Sequence, residues 1–346
     1  MYTFYIIDYH INMKNLYKIL LPIIMLNIIS LLYLSTTKYI TRHLIYLLIS
    51  YILLIIVSKI NINFLLKLSP YLYYLSIILL TIVLIFGKEI NGSKAWLNIL
   101  GLSIQPSEIA KLSLILYLPY ITIKRKNIIL PTIITIIPSI LTLLEPDTGA
   151  IIIYLIIFLS IIKHTNIKKK TLIKTITIIL LFIITNITIY IINKDIILNI
   201  YGPKILYRID RLISFQKQNN IQTINSLISI GSHKLIYIPE NHNDFIFSSI
   251  ISKYSPIIFI IIIISYIAIF TYYLKNITKK NNISNIINSM ILNMLLFQSF
   301  YNILMNLSLL PIIGIPLPFI SYGGSYLLTL YITIGISINL NNNKVV

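Results

Sequence analysis

The sequence predicts an all-α polytopic membrane protein of about ten transmembrane helices, with its N- and C-termini cytoplasmic. Three observations carry this expectation. Of 346 residues, 57% are hydrophobic and only 11% are charged, against about 25% charged in an ordinary soluble domain. Mean hydropathy is +0.89, and apolar runs recur near the length of about 20 residues that crosses a bilayer's hydrocarbon core. Basic residues gather in alternate connections, the pattern left when Lys and Arg are retained on the cytoplasmic side. A water-soluble globule is excluded.

The apolar runs fall at Ile19 to Ser35, His43 to Val57, Tyr71 to Phe86, Ser107 to Ile123, Ile128 to Leu144, Ala150 to Ile162, Thr175 to Ile192, Ser255 to Tyr273, Ile283 to Leu309 and Tyr326 to Ile338. The ninth is long enough to include a kinked or re-entrant end near Pro311. The first has no small-residue cleavage site and reads as a retained span, with Met13-Lys14 as its basic lead-in. No soluble domain fits between the runs. Residues 1–346 read as one integral-membrane domain whose longest outer connection runs from Asn193 to Ser255.

The inner connections carry Lys14 and Lys18, Lys59 and Lys67, Lys124-Arg125-Lys126, the cations from Lys163 to Lys174, and Lys275, Lys279 and Lys280. The connections after the fifth and ninth runs have neither Lys nor Arg, which supports the count as well as the orientation. A net charge of +19 would suggest nucleic acid in a soluble chain, but nucleic acid is rejected as a partner here. The composition favours Ile, Asn, Lys and Tyr, residues with A/T-rich codons. With no cysteine, there is no disulfide framework and no thiolate chemistry, so any reaction belongs to carboxylates, hydroxyls, histidines and cations. Of nine acids only Asp8 falls inside; the others lie in or open onto outward connections. Acids contribute little to orientation, so this bias suggests a polar, outward-opening site, with chance placement in longer outer loops as the alternative.

Four segments carry chemistry. In the first, Gln105-Pro106-Ser107-Glu108 looks like a helix start, with Glu108 suited to the positive end of the dipole and Lys111 on the same face three residues later. A charge pair at the top of a membrane helix faces the bundle interior or water, and serves either a substrate or an interhelical clamp. Upstream, Trp96 is the single tryptophan, a substrate contact or an interfacial anchor. In the second segment, Glu145-Pro146-Asp147-Thr148-Gly149 puts two carboxylates at a helix break, where Asp147 either meets substrate or caps the next helix. In the long outer connection, Arg208 and Arg211 offer cations to an anionic phosphate head group. Pro239-Glu240-Asn241-His242-Asn243-Asp244-Phe245 then sets an acid beside histidine ahead of an aromatic run, able to act as a general base or metal ligand. His-x-Asp spacing alone does not define a metal site. In the last segment, Pro311 to Ser325 holds three prolines and three glycines, which cannot continue an ordinary helix. Here the backbone amides around Gly323 and Gly324, beside Ser321, either approach a phosphate or pack tightly.

Taken together, these segments resemble the SEDS family (shape, elongation, division and sporulation), which includes rod-shape and division proteins. The resemblance runs from Gly87 to Ile338 and rests on Gln-Pro-Ser-Glu-x-x-Lys at 105 to 111, Glu-Pro-Asp-x-Gly at 145 to 149, Pro-Glu-x-His-x-Asp-Phe-Ile-Phe at 239 to 247 and Gly-Ile-Pro-Leu-Pro-Phe-Ile-Ser-Tyr-Gly-Gly-Ser at 314 to 325. Asn302 and Met305 also fit its helix before the last loop. It implies a peptidoglycan glycosyltransferase of the bacterial inner membrane that polymerises lipid II beside a single-pass class B penicillin-binding transpeptidase. Asp244 would be the catalytic acid residue, taking a proton from the acceptor sugar. Arg208, Arg211, Lys111 or a bound divalent cation such as Mg or Mn would neutralise the leaving pyrophosphate. Trp96, Glu108, Asp147, Glu240, His242, Ser321, Gly323 and Gly324 would complete the substrate site, and membrane lipid would surround the whole. The alternatives are a lipid II flippase, or a catalytically weakened scaffold for the transpeptidase.

The chain departs from the family pattern in several places. Asn243 stands for the usual Thr, Ser252, Lys253 and Tyr254 stand near the usual Glu-Glu-Gly, and Lys94-Ala95-Trp96 replaces Arg-Trp. The glycine-rich stretch after Ser232 is cut to His233-Lys234-Leu235. Tyr207-Arg208-Ile209 and Lys234-Leu235-Ile236-Tyr237 lean to the division branch, Gly314-Ile315-Pro316 to the rod-shape branch.

Overall fold

The computed structural model describes residues 13–90, 93–99, 102–125, 128–162, 221–234, 236–254, 256–277 and 282–342. Nine of the ten apolar runs become helices: α1 (Met13–Leu34), α2 (Ile40–Lys59), α3 (Ile62–Phe86), α4 (Pro106–Arg125), α5 (Ile129–Leu144), α6 (Thr148–Ile162), α9 (Pro256–Asn276), α10 (Ile283–Asn306) and α11 (Gly324–Asn342). The seventh run, Thr175 to Ile192, lies outside the described residues. Two shorter helices, α7 (Ile221–Ser232) and α8 (Ile246–Tyr254), fold from the long connection. Among the described residues, α1, α2, α3, α9 and α10 have the length and hydropathy to cross a bilayer, while α5 and α6 are apolar but shorter. Polar side chains lower the hydropathy of α4 and α11. The ninth run, Ile283 to Leu309, is helical only as far as Asn306, and its last three residues turn away from the helix ahead of Pro311.

A sequence this rich in Ile and Leu makes helices readily in lipid, because every backbone group must find its partner within the chain. The prolines inside the helices test that rule. Pro70 in α3 cannot donate to the carbonyl of Leu66, and the Ser69 hydroxyl donates there instead at 2.7 Å. Pro138 in α5 leaves the Ile134 carbonyl free, and Tyr73 of α3 donates to it across the helix interface at 3.1 Å. Asn61 and Asn282 cap α3 and α10, each accepting a backbone N–H.

The helix pairs α2 with α11, α3 with α4, α6 with α10 and α1 with α9 make the main packing seams. Over its most apolar window α10 is 61% buried against 28% for α3, so α10 is the central post and α3 a peripheral one with a broad apolar outer face. The connection after α3 is not helical. It forms an antiparallel sheet, β1 (Lys88–Ile90), β2 (Ser93–Ile99) and β3 (Leu102–Ile104), in that order, with Lys88 opposite Trp96 and Leu97 opposite Ile104. This small sheet is an addition to the all-helical expectation. Lys94 folds it back by donating to the Leu84 and Ile85 carbonyls at the end of α3. The α1–α2 turn, the sheet, the α5–α6 turn, the 236–245 segment and the 307–323 strap touch one another through hydrogen bonds and ring contacts, so they share one end of the bundle.

Candidate active site

Asp244 sits at the end of a tight turn. Glu240 adopts φ +60°, and its carbonyl accepts from the N–H groups of Asn243 and Phe245 at 3.0 and 3.1 Å. Phe245 and Phe247 are then buried, anchoring the start of α8 and leaving the Asp244 side chain half-buried at the edge of the core. Two asparagines of α10 hold this position: Asn302 and Asn306 each donate to the Asp244 carbonyl at 2.9 Å. Asn306 also accepts from the Ser248 N–H in the first turn of α8 at 3.1 Å. Gly314 has φ +77°, and a Cβ there would come within 3.4 Å of the Asp244 Oδ2. That glycine therefore serves the backbone turn and leaves room beside the carboxylate.

The strap from Leu307 to Gly323 is shaped rather than helical because its prolines lack donors and its carbonyls are taken from outside. Asn302 donates to Ile315, Tyr266 to Pro318 and Ser30 to Ile320, at 2.8, 2.6 and 2.6 Å. Ser321 accepts from the Leu317 N–H and donates to the Asn243 carbonyl, both at 2.8 Å, while the Tyr322 N–H donates to the His242 carbonyl at 3.0 Å. Ser321 thus ties the strap to the Asp244 segment. Gly324 opens α11 directly against the Tyr46 ring, which lies 2.3 Å from where a Cβ would be. Packing against that ring explains its lack of a side chain.

His242 stacks on Tyr39, with ring centroids 4.1 Å apart and 14° between planes, and lies 5.8 Å from the Tyr322 ring. Burial pushes its pKa below the usual value, against the pull of the Glu240 carboxylate 3.8 Å from Nε2 and with a further push from Lys38. The imidazole is therefore neutral near pH 7.

Glu108 and Lys111 form an ion pair at 2.5 Å with both side chains buried. Thr329 of α11 donates to the other Glu108 oxygen at 3.2 Å, and Lys111 lies 5.6 Å from the Tyr326 ring centre. Gln298 and Thr333 join them in lining a small cleft whose other walls are apolar, Leu112, Ile115, Met294 and Leu330. Along α10, Gln298, Asn302 and Asn306 recur every fourth residue, so the cleft and the Asp244 clamp are stacked on one helix face, about 6 Å per step.

Asp147 has both oxygens committed. Oδ1 accepts from the Ala150 N–H at 3.1 Å, capping α6, and Oδ2 accepts from Gln105 and Ser107 at 2.8 and 3.2 Å, pinning the start of α4. Glu145 is fully buried with neither carboxylate oxygen bonded, and burial, with repulsion from Asp147, raises its pKa to about 9. Trp96 is half-buried on β2, whose Ser93 donates to the Glu145 carbonyl. Arg208 and Arg211 lie outside the described residues. No three His, Asp or Glu side chains gather around one point among the described residues, so a divalent cation finds no ready cage of protein ligands among them.

Reading the sequence alone missed Tyr39, Gln298, Asn306, Tyr326 and Thr329. Asn306 had a signal, its four-residue offset from Asn302. Tyr39 had none, since only the folded chain brings α2 against the His242 turn.

A model of the FtsW, RodA and SpoVE family, described as cell cycle protein, matches residues 11–345. The chain belongs to this family. A Buchnera aphidicola relative (subspecies Baizongia pistaciae), named as a peptidoglycan glycosyltransferase FtsW, is 33% identical over 290 residues, covering 75% of this chain and 72% of its own length. A Bacillus subtilis relative of the same name is 29% identical over 75% of this chain and 70% of its own. Among solved structures, one described as a peptidoglycan synthase complex coordinating polymerisation and crosslinking superposes with a TM-score of 0.81 at 21% identity, over 95% of this chain and 98% of that one. The Thermus thermophilus rod-shape protein RodA superposes at 0.70 with 20% identity, over 95% and 97%. These likenesses establish the polytopic helical fold of the family for this chain.

Proposed function

We propose that this FtsW/RodA family member is a peptidoglycan glycosyltransferase that polymerises lipid II in the bacterial inner membrane, with Asp244 as its general base. Family membership and the named relatives support the activity. The observation that carries the residue assignment is the Asp244 carboxylate held at the bundle's polar end by Asn302 and Asn306, with Gly314 leaving space at Oδ2.

The chemistry needs a base within hydrogen-bond reach of the acceptor sugar's 4-hydroxyl. As that oxygen attacks the donor's anomeric carbon, the bond to the lipid diphosphate breaks and the hydroxyl proton passes to Asp244. A direct displacement of this kind turns an α-linked donor into a β-linked product. Clamping the backbone of Asp244 from a buried helix restricts where its carboxylate can lie, the preorganisation a proton transfer rewards. Lys111 is already neutralised by Glu108, so its charge is largely spent inside the protein and serves the leaving group poorly. A class B penicillin-binding transpeptidase is the partner this reading calls for, and the likeness to a peptidoglycan synthase complex supports it.

A lipid conduit would need an open polar path across the bundle. The polar stripe of α11, Ser325, Thr329, Thr333 and Ser337, is instead buried and hydrogen-bonded to neighbouring protein groups, which favours the enzyme over the flippase. Purified protein with its transpeptidase partner is expected to make glycan strands from lipid II, and Asp244→Asn to abolish them at unchanged thermal stability. A fully active Asp244→Asn enzyme would remove Asp244 from the mechanism.

A further inference from the structure

Among the described residues the polar centres above leave one charge of the reaction unserved. When the donor's anomeric bond breaks, the lipid diphosphate departs with the electron pair, and Lys111 is already paired with Glu108. The α1–α2 turn supplies another source. Lys38 and Arg42 are both exposed and flank Tyr39 within one helical turn. Tyr39 stacks on His242, two residues from Asp244; Lys38 lies 5.4 Å from the Tyr39 ring centre, and the Arg42 charge acts on the hydroxyl of Tyr322, whose N–H holds the His242 carbonyl. Neither cation forms an ion pair among the described residues, although Glu240 is 3.8 Å from His242. The N-terminus of α2 has no side-chain cap at Tyr39 and adds partial positive charge of the same sign.

We propose that Lys38 and Arg42, over the Tyr39, His242 and Tyr322 rings, form the subsite for the diphosphate of the donor lipid. This deepens the glycosyltransferase reading and rests on it. The geometry of the reaction selects donor over acceptor. The donor's diphosphate is bonded to the carbon under attack, so it lies about 5 to 8 Å from the base, whereas the acceptor's diphosphate is a whole disaccharide away. Two cations with no ion pair among the described residues, standing over the rings that border the Asp244 turn, match the first position. In the step itself, the acceptor oxygen forms the new bond to the donor carbon, Asp244 takes the proton, and the polyprenyl diphosphate leaves with the bonding pair, its added charge met by Lys38 and Arg42.

The test uses the full chain with its transpeptidase partner in phosphatidylcholine vesicles, and measures both glycan synthesis and binding of polyprenyl diphosphate. The double variant Lys38→Gln/Arg42→Gln is expected to bind polyprenyl diphosphate about tenfold or more weakly and to lose turnover, with the charge-retaining Lys38→Arg/Arg42→Lys recovering most of both. Asp244→Asn is expected to bind the diphosphate like the unaltered chain. Both cations are exposed, so the thermal midpoint checks that folding is unchanged. Equal diphosphate affinity in the Gln variant overturns the subsite, and so does equal displacement by phosphatidylglycerol, which would make it a general headgroup surface. Failure of the unaltered chain to make glycan, with diphosphate binding still dependent on Lys38 and Arg42, would overturn the enzyme reading and leave the subsite standing.

Discussion

Glu145 and Asp147 are two residues apart and live in opposite environments. Asp147 accepts three hydrogen bonds, whereas Glu145 is wholly buried with none to either carboxylate oxygen. A carboxyl in that position keeps its proton, so its pKa rises from the model-compound value of 4.5 to about 9. The folded state then binds more protons than the unfolded one between those values, and stability falls as pH rises through that window. Glu145→Gln, which mimics the protonated form, is expected to raise the thermal midpoint by several degrees at pH 8 and hardly at pH 4, measured by melting in detergent. His242 has the reverse sign. Its lowered pKa means the unfolded state takes the proton first, so its contribution is intact above pH 6.5 and lost as the pH falls below it. Asn302 and Asn306 hold Asp244 by its backbone carbonyl. Asn306→Leu is expected to lower kcat of glycan synthesis about tenfold or more with KM little changed, since the base is displaced while the binding groups remain.

At the scale of elements, the helices are held by specific repairs of backbone defects as much as by apolar contact. Tyr73 supplies the donor that Pro138 withholds from Ile134. Tyr73→Phe is expected to cost about 1 kcal/mol, and the cost to shrink in a Pro138→Ala background, where the main chain can donate again; a double-mutant unfolding cycle reads the coupling. The α2–α11 seam depends on close approach. At Gly324 a methyl group would meet the Tyr46 ring, and at Gly335 it would come within 2.9 Å of the Leu54 carbonyl. These two glycines let α11 lie against α2, which is what brings Tyr39 and the strap to the same end. The strap's conformation, in turn, is set by donors from α1, α9 and α10 more than by its own sequence.

Over the whole molecule, α10 connects the two polar centres. Gln298 faces the Glu108–Lys111 cleft, and Asn302 and Asn306 hold the Asp244 turn one and two helical steps away. A buried ion pair is costly to break from one side, because the remaining charge stays desolvated. Lys111→Met is expected to destabilise the protein by about 3 kcal/mol or more, and Glu108→Gln/Lys111→Met to recover most of that loss, as measured by unfolding in detergent. If the pair is a clamp alone, the double variant also recovers glycan synthesis; if the cleft contacts substrate, stability returns without activity.

Composition and spacing determined much of this. Apolar runs located nine helices, seven of them to within four residues at both ends, while α1 and α3 begin six and nine residues before their runs; lipid allows a hydrophobic segment few alternatives to a helix. The four polar segments marked the candidate site, because charge is too expensive in a membrane protein to be placed without a partner or a purpose. Asp147 was legible as a helix cap, Glu108 and Lys111 as a face-sharing pair. The fold alone decided the rest. Whether Asp147 has an oxygen to spare, whether Gly324 has a ring against its α-carbon, and which ring and cation stand beside His242 depend on groups about 40 to 300 residues apart meeting at one end of the bundle. Local patterns set which segments leave the lipid, but only the packing of α2, α10 and α11 sets what those segments touch.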